Sequence, residues 1–225
     1  MREVSVVIPV YNAFEECLTC LRSVLRFSPE ARAVIVIDDA SSEGTLEEWI
    51  AGRLPRDLRL AFRRNPENLG FAASCNLGFE TAGADDVVLL NSDTEVTPGW
   101  LGSLRRAAYS RAQVATVTPF TNNGTICGFP RMGANPRPEV CSLEEMAAAF
   151  ARAAAGVYPE LPTCVGFCVY IRRAAIESVG VFDAQAFGPG YGEENDFSLR
   201  ARHAGFVNLL DPGAFVFHRG QASFK

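Results

Sequence analysis

Five places in this chain of 225 residues hold side chains able to ligate a metal ion, bond a ligand or take a proton. Tyr11-Asn12, Asp38-Asp39 and Asn91-Ser92-Asp93 each come directly after an apolar run. A fourth cluster, Glu193-Glu194-Asn195-Asp196, packs three acids into four residues behind Gly188-Pro189-Gly190-Tyr191-Gly192. Acids at a helix start gain about 0.3–1 kcal/mol each from the helix dipole. That accounts for the acids but not for the glycines, which let a backbone approach a ligand closely. The fifth is His218, one of two histidines, at the end of Phe215-Val216-Phe217. The other, His203, falls inside the helix that follows the acids and reads as a surface residue.

The elements that must position these groups alternate. Val4 to Val10, Ala33 to Ile37, Leu58 to Phe62 and Val87 to Leu90 read as buried strands. Between them lie helical patterns over Phe14 to Leu25, Glu43 to Ile50 and Phe71 to Thr81. Strands separated in this way imply βαβ units and a mainly parallel sheet with right-handed crossovers. Ligands bind such sheets beyond the carboxyl ends of the strands, where three of the polar clusters fall. The second half is less regular. Ala115 to Pro119 and Cys164 to Ile171 read as strands, and Phe120 to Pro138 as a long loop rich in Asn, Gly and Pro. Ser142-x-x-Glu145 is a capping box opening a helix from Leu143 to about Ala154. Helices are expected over Arg173 to Val179 and Glu193 to Ala204, and a last strand over Phe215 to Phe217. No linker divides the chain, so one domain spans 1–225.

Several function classes are excluded. A formal net charge of −5 argues against a generic nucleic-acid binder, so no nucleic-acid partner is expected. No G-x-G-x-x-G follows the first strand and no G-x-x-x-x-G-K-[ST] occurs, which removes a Rossmann dinucleotide site and a P-loop. Seven cysteines with irregular spacing make no disulfide framework; Cys17-x-x-Cys20 sits on an amphipathic helix and reads as core. No apolar run approaches the roughly 20 residues that cross a bilayer, and Met1-Arg2-Glu3 lacks the pattern of a signal peptide. The expectation is a cytoplasmic protein, or a domain at the cytoplasmic face of a membrane.

Val6-Val7-Ile8-Pro9-Val10-Tyr11-Asn12, Val36-Ile37-Asp38-Asp39-Ala40-Ser41, the stretch Asn65 to Asn76, and Leu89-Leu90-Asn91-Ser92-Asp93 together resemble the family 2 glycosyltransferases. Gly190-Tyr191-Gly192-Glu193-Glu194-Asn195-Asp196-Phe197 and His218 resemble that family's acceptor-side motif and terminal metal histidine. The likeness runs in order over nearly the whole chain, toward rhamnosyltransferase-like bacterial members. It implies an α/β GT-A fold, with a nucleotide-sugar half over 1–118 and an acceptor half over 119–225, and a catalytic unit excised from a longer protein is one expectation.

The resemblance implies roles for particular residues. Pro9, Tyr11, Asp39, Asn68, Asn91, Ser92 and Asp93 would bind the donor, with Asp39 accepting from the base edge and Asp38 capping the next turn. Asn91 replaces the first aspartate of the family's D-x-D element, and an amide can still bond a ribose. Asp93 and His218 would hold Mn²⁺ or Mg²⁺, completed by phosphate oxygens and water, with a mobile tail after His218. Glu194 takes the general-base position with Asp196 in support, while Gly166, Phe167, Tyr191 and Glu193 face the acceptor. The pattern leaves open which of Glu193 and Glu194 meets the acceptor hydroxyl. The implied activity is inverting sugar transfer from a UDP-, dTDP- or GDP-linked donor to a glycan, lipid-linked or protein acceptor, in cell-surface polysaccharide synthesis. A nucleotide-sugar-binding module without catalysis and a sugar nucleotidyltransferase are the alternatives; the second lacks its Gly-rich basic opening loop here.

Overall fold

The computed structural model describes residues 1–42, 44–137, 139–188 and 190–220. The expected helix start at Glu43, the loop end at Pro138, Pro189 of the glycine-rich run and the tail after residue 220 lie outside the described residues. The first half runs β1 (Val4–Val10), α1 (Phe14–Phe27), β2 (Ala33–Asp38), α2 (Leu46–Ile50), β3 (Leu60–Arg64), α3 (Phe71–Thr81), β4 (Asp86–Leu90), β5 (Thr94–Glu95) and α4 (Trp100–Ala108). The second half runs β6 (Val114–Phe120), β7 (Asn123–Gly124), β8 (Gly133–Ala134), α5 (Leu143–Ala153), β9 (Glu160–Leu161) and β10 (Cys168–Ile171). It ends with α6 (Arg173–Val179), α7 (Ala184–Phe187), α8 (Glu193–His203), β11 (Val207–Phe215) and β12 (Phe217–His218).

Eight strands form one sheet in the order β3-β2-β1-β4-β10-β6-β11-β9. Pairings β3–β2, β2–β1, β1–β4 and β6–β11 are parallel, as the βαβ pattern demands. Strand β10 is antiparallel to both neighbours, and β9 closes the far edge antiparallel to β11. The sheet is therefore mostly parallel with two reversed strands. The two reversals put the N-terminal end of β10, and so the segment just before it, at the edge where β1, β2 and β4 end.

Both faces of the sheet are covered, so its central strands are apolar on both sides. Along β1, Val4, Val6 and Ile8 enter the core under α1 and α4, while Val7 enters the core under α3, α6 and α8. Fully burying one such side chain contributes about 1.5–3 kcal/mol. Helix α3 lies very close to the sheet, because a Cβ at Gly78 would stand 2.2 Å from Val7 Cγ1. That approach brings the start of α3 to the edge where β1 and β2 end.

Several expectations shift. Strand β3 begins at Leu60 rather than Leu58, which is 93% exposed. Only Cys168–Ile171 of the expected Cys164 to Ile171 strand joins the sheet. Helix α4 was not signalled; its N-cap is Gly99 in the left-handed region, with no side-chain cap. Strand β11 was masked by Asp211-Pro212-Gly213, which reads as a turn but forms a register shift against β6. The capping box at Ser142 and Glu145 forms as expected. All seven cysteines are free thiols. Cys17 and Cys20 are fully buried, and burial pushes the Cys20 thiol up to about 12, as core thiols should behave.

Candidate functional site

Two adjoining clefts open at the end of the sheet. The first, of about 800 Å³, is walled by Pro9, Tyr11, Asp39, Asn68, Asn91 and Ser92, with Phe71 and Ser74 from α3. Pro9 lies past the last β1–β4 pair, Val7 with Leu89, so its missing N–H leaves no gap in that ladder. The turns after β1 and β2 interlock: Asn12 N–H donates to Ser41 Oγ at 2.8 Å, and Ser42 N–H to Asn12 Oδ1 at 2.9 Å. Asn12, Ala13 and Ala40 hold positive φ, a strained backbone that the interlock maintains.

Asp38 and Asp39 divide their work. Asp38 caps the turn after β2, accepting from Ser41 N–H at 2.9 Å, and pairs with Arg64. Asp39 lines the cleft, 4% exposed, and ties down the segment before α3. Its Oδ1 accepts from Asn65 Nδ2 at 2.7 Å and Leu69 N–H at 2.9 Å, and its Oδ2 from Gly70 N–H at 2.9 Å. Four acceptor sites on a carboxylate leave room for one more donor on Oδ2.

The second cleft, of about 820 Å³, shares Phe71 and Asn91 with the first. Gly166, Phe167, Tyr191, Glu193, Glu194 and His218 form its walls. Helix α8 delivers the two glutamates after Gly192 and after Tyr191, whose φ is 72° although it carries a side chain. Gly166 lies against Glu194: a Cβ there would stand in ordinary contact with the Glu194 carboxyl carbon, at 3.6 Å. Glu193 is 3% exposed, and burial, with the neighbouring Glu194, raises its pKa to about 7. Among the described residues, Asn91 Oδ1, Glu193 Oε2 and Glu194 Oε2 are buried with no hydrogen-bond partner. All three belong to residues that line this cleft.

Asp196 does not join them. Its Oδ2 accepts from Arg200 Nε at 2.8 Å, one helical turn on, and Arg200 in turn donates to the carbonyls of Val179 and Val181. The residue that the family resemblance places in support of the base thus forms an ion pair along α8.

Asp93 and His218 meet through a short ladder, β5 with β12, in which His218 pairs with Thr94. His218 Nε2 lies 3.3 Å from Asp93 Oδ1. The ring stacks on Phe167 at 5.3 Å between centroids, and Nδ1 contacts the Asn123 carbonyl at 2.9 Å. Burial opposes a charge on this ring, but the Asp93 carboxylate and the Asn123 carbonyl outweigh it, so its pKa stands above the ordinary value. With Nδ1–H donating to Asn123, loss of the Nε2 proton that Asp93 holds would free that nitrogen to ligate a cation. Donors about 2.1 Å from an octahedral ion stand about 3 Å apart, so the carboxylate and imidazole suit neighbouring corners of a divalent ion. Among the described residues no third His, Cys, Asp or Glu joins a metal-holding group, so further ligands would come from substrate and water.

Some cleft residues carried no individual signal in the sequence. Phe71 opens α3, Val165 precedes β10, and Asn123, Gly124 and Thr125 come from the Asn/Gly-rich loop. The loop as a whole was flagged by composition, but not these positions. Asn122, buried beside β12, was missed as well.

Comparison with known proteins bears on the family and the fold. The Mycobacterium tuberculosis protein Rv1525 is 30% identical over 159 residues, covering 69% of this chain and 56% of its own length. An N-acetylglucosaminyltransferase of Sinorhizobium fredii is 26% identical over 221 residues, covering 95% of this chain and 52% of its own. The chain thus spans about half the length of these curated relatives. Among solved structures, GalNAc-T7 with UDP, GalNAc and Mn²⁺ superposes with a TM-score of 0.74 at 19% identity, over 97% of this chain and 44% of that one. A mannosyltransferase from Pyrobaculum calidifontis with GDP-Man and Mn²⁺ gives 0.68 at 19% identity, over 97% and 58%. The fold is that of the GT-A glycosyltransferases. Residues 5–180 match the family described as Glycosyl transferase family 2, more than half of the chain, and the chain belongs to that family.

Proposed function

We propose that this chain transfers a sugar from a nucleoside-diphosphate donor to an acceptor hydroxyl, with inversion at the anomeric carbon. The observation that carries the reading is the meeting of the two clefts at Phe71 and Asn91. The unpartnered Glu194 Oε2 and His218 both stand at the second cleft, and Asp93 lies behind His218, its Oδ1 3.3 Å from Nε2. The first cleft, built from residues before position 118, takes the nucleotide; the second, built mainly from residues after it, takes the acceptor. Both belong to one catalytic unit.

Asn91 and Asp39 orient the donor, Asn91 through its free Oδ1 and Asp39 through its remaining acceptor site. Glu194 Oε2 takes the proton of the acceptor hydroxyl as that oxygen bonds to the anomeric carbon. The bond from that carbon to the diphosphate oxygen breaks on the opposite face, and the nucleoside diphosphate leaves with the electron pair. Asp93 and His218 would hold a divalent ion, which supplies positive charge against the leaving diphosphate. Glu193, whose pKa burial raises to about 7, stands beside Glu194 in the same cleft.

Release of nucleoside diphosphate from UDP-, dTDP- and GDP-sugars, with Mn²⁺ and then with EDTA, tests the reading. Turnover of one donor, abolished by EDTA and restored by Mn²⁺ or Mg²⁺, is expected. Tight binding of a nucleotide sugar without turnover would leave a binding module, and turnover indifferent to EDTA would remove the metal. Among the described residues no helix is long and apolar enough to cross a membrane, so the assay can run on the purified chain without detergent as a first choice.

A further inference from the structure

His218 is held by its backbone as well as by its ring. Its N–H donates to Asn122 Oδ1 at 2.8 Å, and its carbonyl accepts from Asn122 Nδ2 at 3.0 Å. One side-chain amide thus satisfies both main-chain groups of a single residue, as an adjacent strand would. Asn122 is buried, at 5% exposure, and its Nδ2 also donates to the Asn135 carbonyl at 3.1 Å. Its own carbonyl accepts from Asn135 N–H at 2.8 Å and Asn135 Nδ2 at 2.9 Å. On the opposite side, His218 pairs with Thr94 in the β5–β12 ladder. The next residue, Asn123, gives the carbonyl that meets ring Nδ1. Adjacent asparagines therefore fix both the position of the His218 backbone and the rotation of its ring.

We propose that Asn122 is a positioning residue for the divalent-cation site, setting through this two-point clamp where His218 Nε2 stands relative to Asp93. The proposal rests on the reading of His218 as a metal ligand and goes beyond it. The chemistry selects an amide of this length. Aspartate keeps the acceptor but loses the donor, a serine hydroxyl cannot span both groups, and glutamine is longer by one methylene. Metal sites need their donors in place to within about 0.2 Å, and loss of an outer partner costs about 10–100-fold in affinity.

The test is Mn²⁺ binding to the purified chain with UDP present, read from the electron paramagnetic resonance signal of free Mn²⁺, which needs no turnover. Asn122→Ala is expected to raise the Mn²⁺ Kd by about 10–100-fold. Asn122→Asp, nearly the same shape and so suited to the packed position should the alanine variant fail to fold, is expected to raise it at least about tenfold. His218→Ala should lose at least as much. Asn135→Ala keeps the backbone N–H and carbonyl that meet Asn122 and loses only the Nδ2 bonds to the carbonyls of Asn122, Arg131 and Gly133, so it should lower Tm yet hold the Mn²⁺ Kd within about twofold. Wild-type Mn²⁺ affinity in the folded Asn122 variants, with loss in His218→Ala, would overturn the clamp and leave the ligand reading standing. Equal losses in Asn135→Ala and Asn122→Ala would overturn it too, by making general loop order the cause. Unchanged binding in His218→Ala would bring down the metal reading and this proposal together.

Discussion

A pair of neighbouring carboxylates stands at each cleft, Asp39 lining the first with Asp38 behind it and Glu193 and Glu194 lining the second, and the pairs differ in one respect. Asp38 and Asp39 are engaged by their own chain, through Ser41, Arg64, Asn65, Leu69 and Gly70. Glu193 and Glu194 each keep a buried oxygen with no protein partner. A buried polar atom left unpaired costs about 1–3 kcal/mol, so a fold tolerates it where something else is to bind. The first pair shapes its cleft; the second is left ready for a ligand or a proton. Carboxylates therefore serve architecture on one side of Asn91 and, in the proposed reaction, chemistry on the other.

Glu194→Gln gives the sharpest break between the pairs. It should lower kcat by about 10²–10⁴-fold while the Kd for nucleoside diphosphate stays within about twofold; a smaller loss of rate would take Glu194 out of the proton-accepting role. Asp39→Ala should act in the opposite manner. It strands the Asn65, Leu69 and Gly70 donors, so thermal unfolding should show a loss of about 2–4 kcal/mol, and a wild-type Tm would mean that those bonds are not what holds the loop.

Glu193 provides a pH test. A carboxyl whose folded-state pKa is raised binds its proton more tightly folded than unfolded. Its contribution to stability is full below the ordinary value of 4.5 and is lost as pH rises through about 7. Stability should fall over that window by about 1–3 kcal/mol, and Glu193→Gln should flatten the fall. A denaturation series with the same slope in both proteins would contradict it. The smallest effect is expected at Asp196, whose partner is Arg200. Asp196→Asn should change stability by about 0.3–0.5 kcal/mol and the rate by less than about threefold; a large loss of kcat would return Asp196 to the chemistry.

Legibility divides along the same line as the clefts. Strands β1, β2 and β4 are continuous apolar runs closed by polar residues, so their sequence carries both the element and its ligand-facing end. Helix α3 kept its expected bounds because Gly70 opens it and the apolar spacing is unbroken. In the second half the signals conflict with the outcome. Cys164 to Phe167 is as apolar as a strand, yet it stays outside the sheet, and Val165, Gly166 and Phe167 line the second cleft, because β10 is reversed and presents its N-terminal side there. Asp211-Pro212-Gly213 has turn composition but lies within β11, where the parallel partner β6 absorbs it as a register shift. Asp196 shows the limit of motif spacing, since four residues on lies an arginine that no acidic pattern takes into account. Asn122 is invisible to any reading of local pattern, for its meaning lies in a residue near the other end of the second half.

The β5–β12 ladder joins the middle of the chain to the last described strand. The imidazole stands beside the Asp93 carboxylate only while that late strand is docked, whereas the nucleotide cleft is assembled without it. Under the proposed roles, a molecule whose β12 had frayed would still recognise a nucleotide but would lack the imidazole for its cation. Cation affinity is consequently a more stringent gauge of a fully assembled molecule than nucleotide affinity, and comparing the two would expose partly docked molecules that other assays count as native.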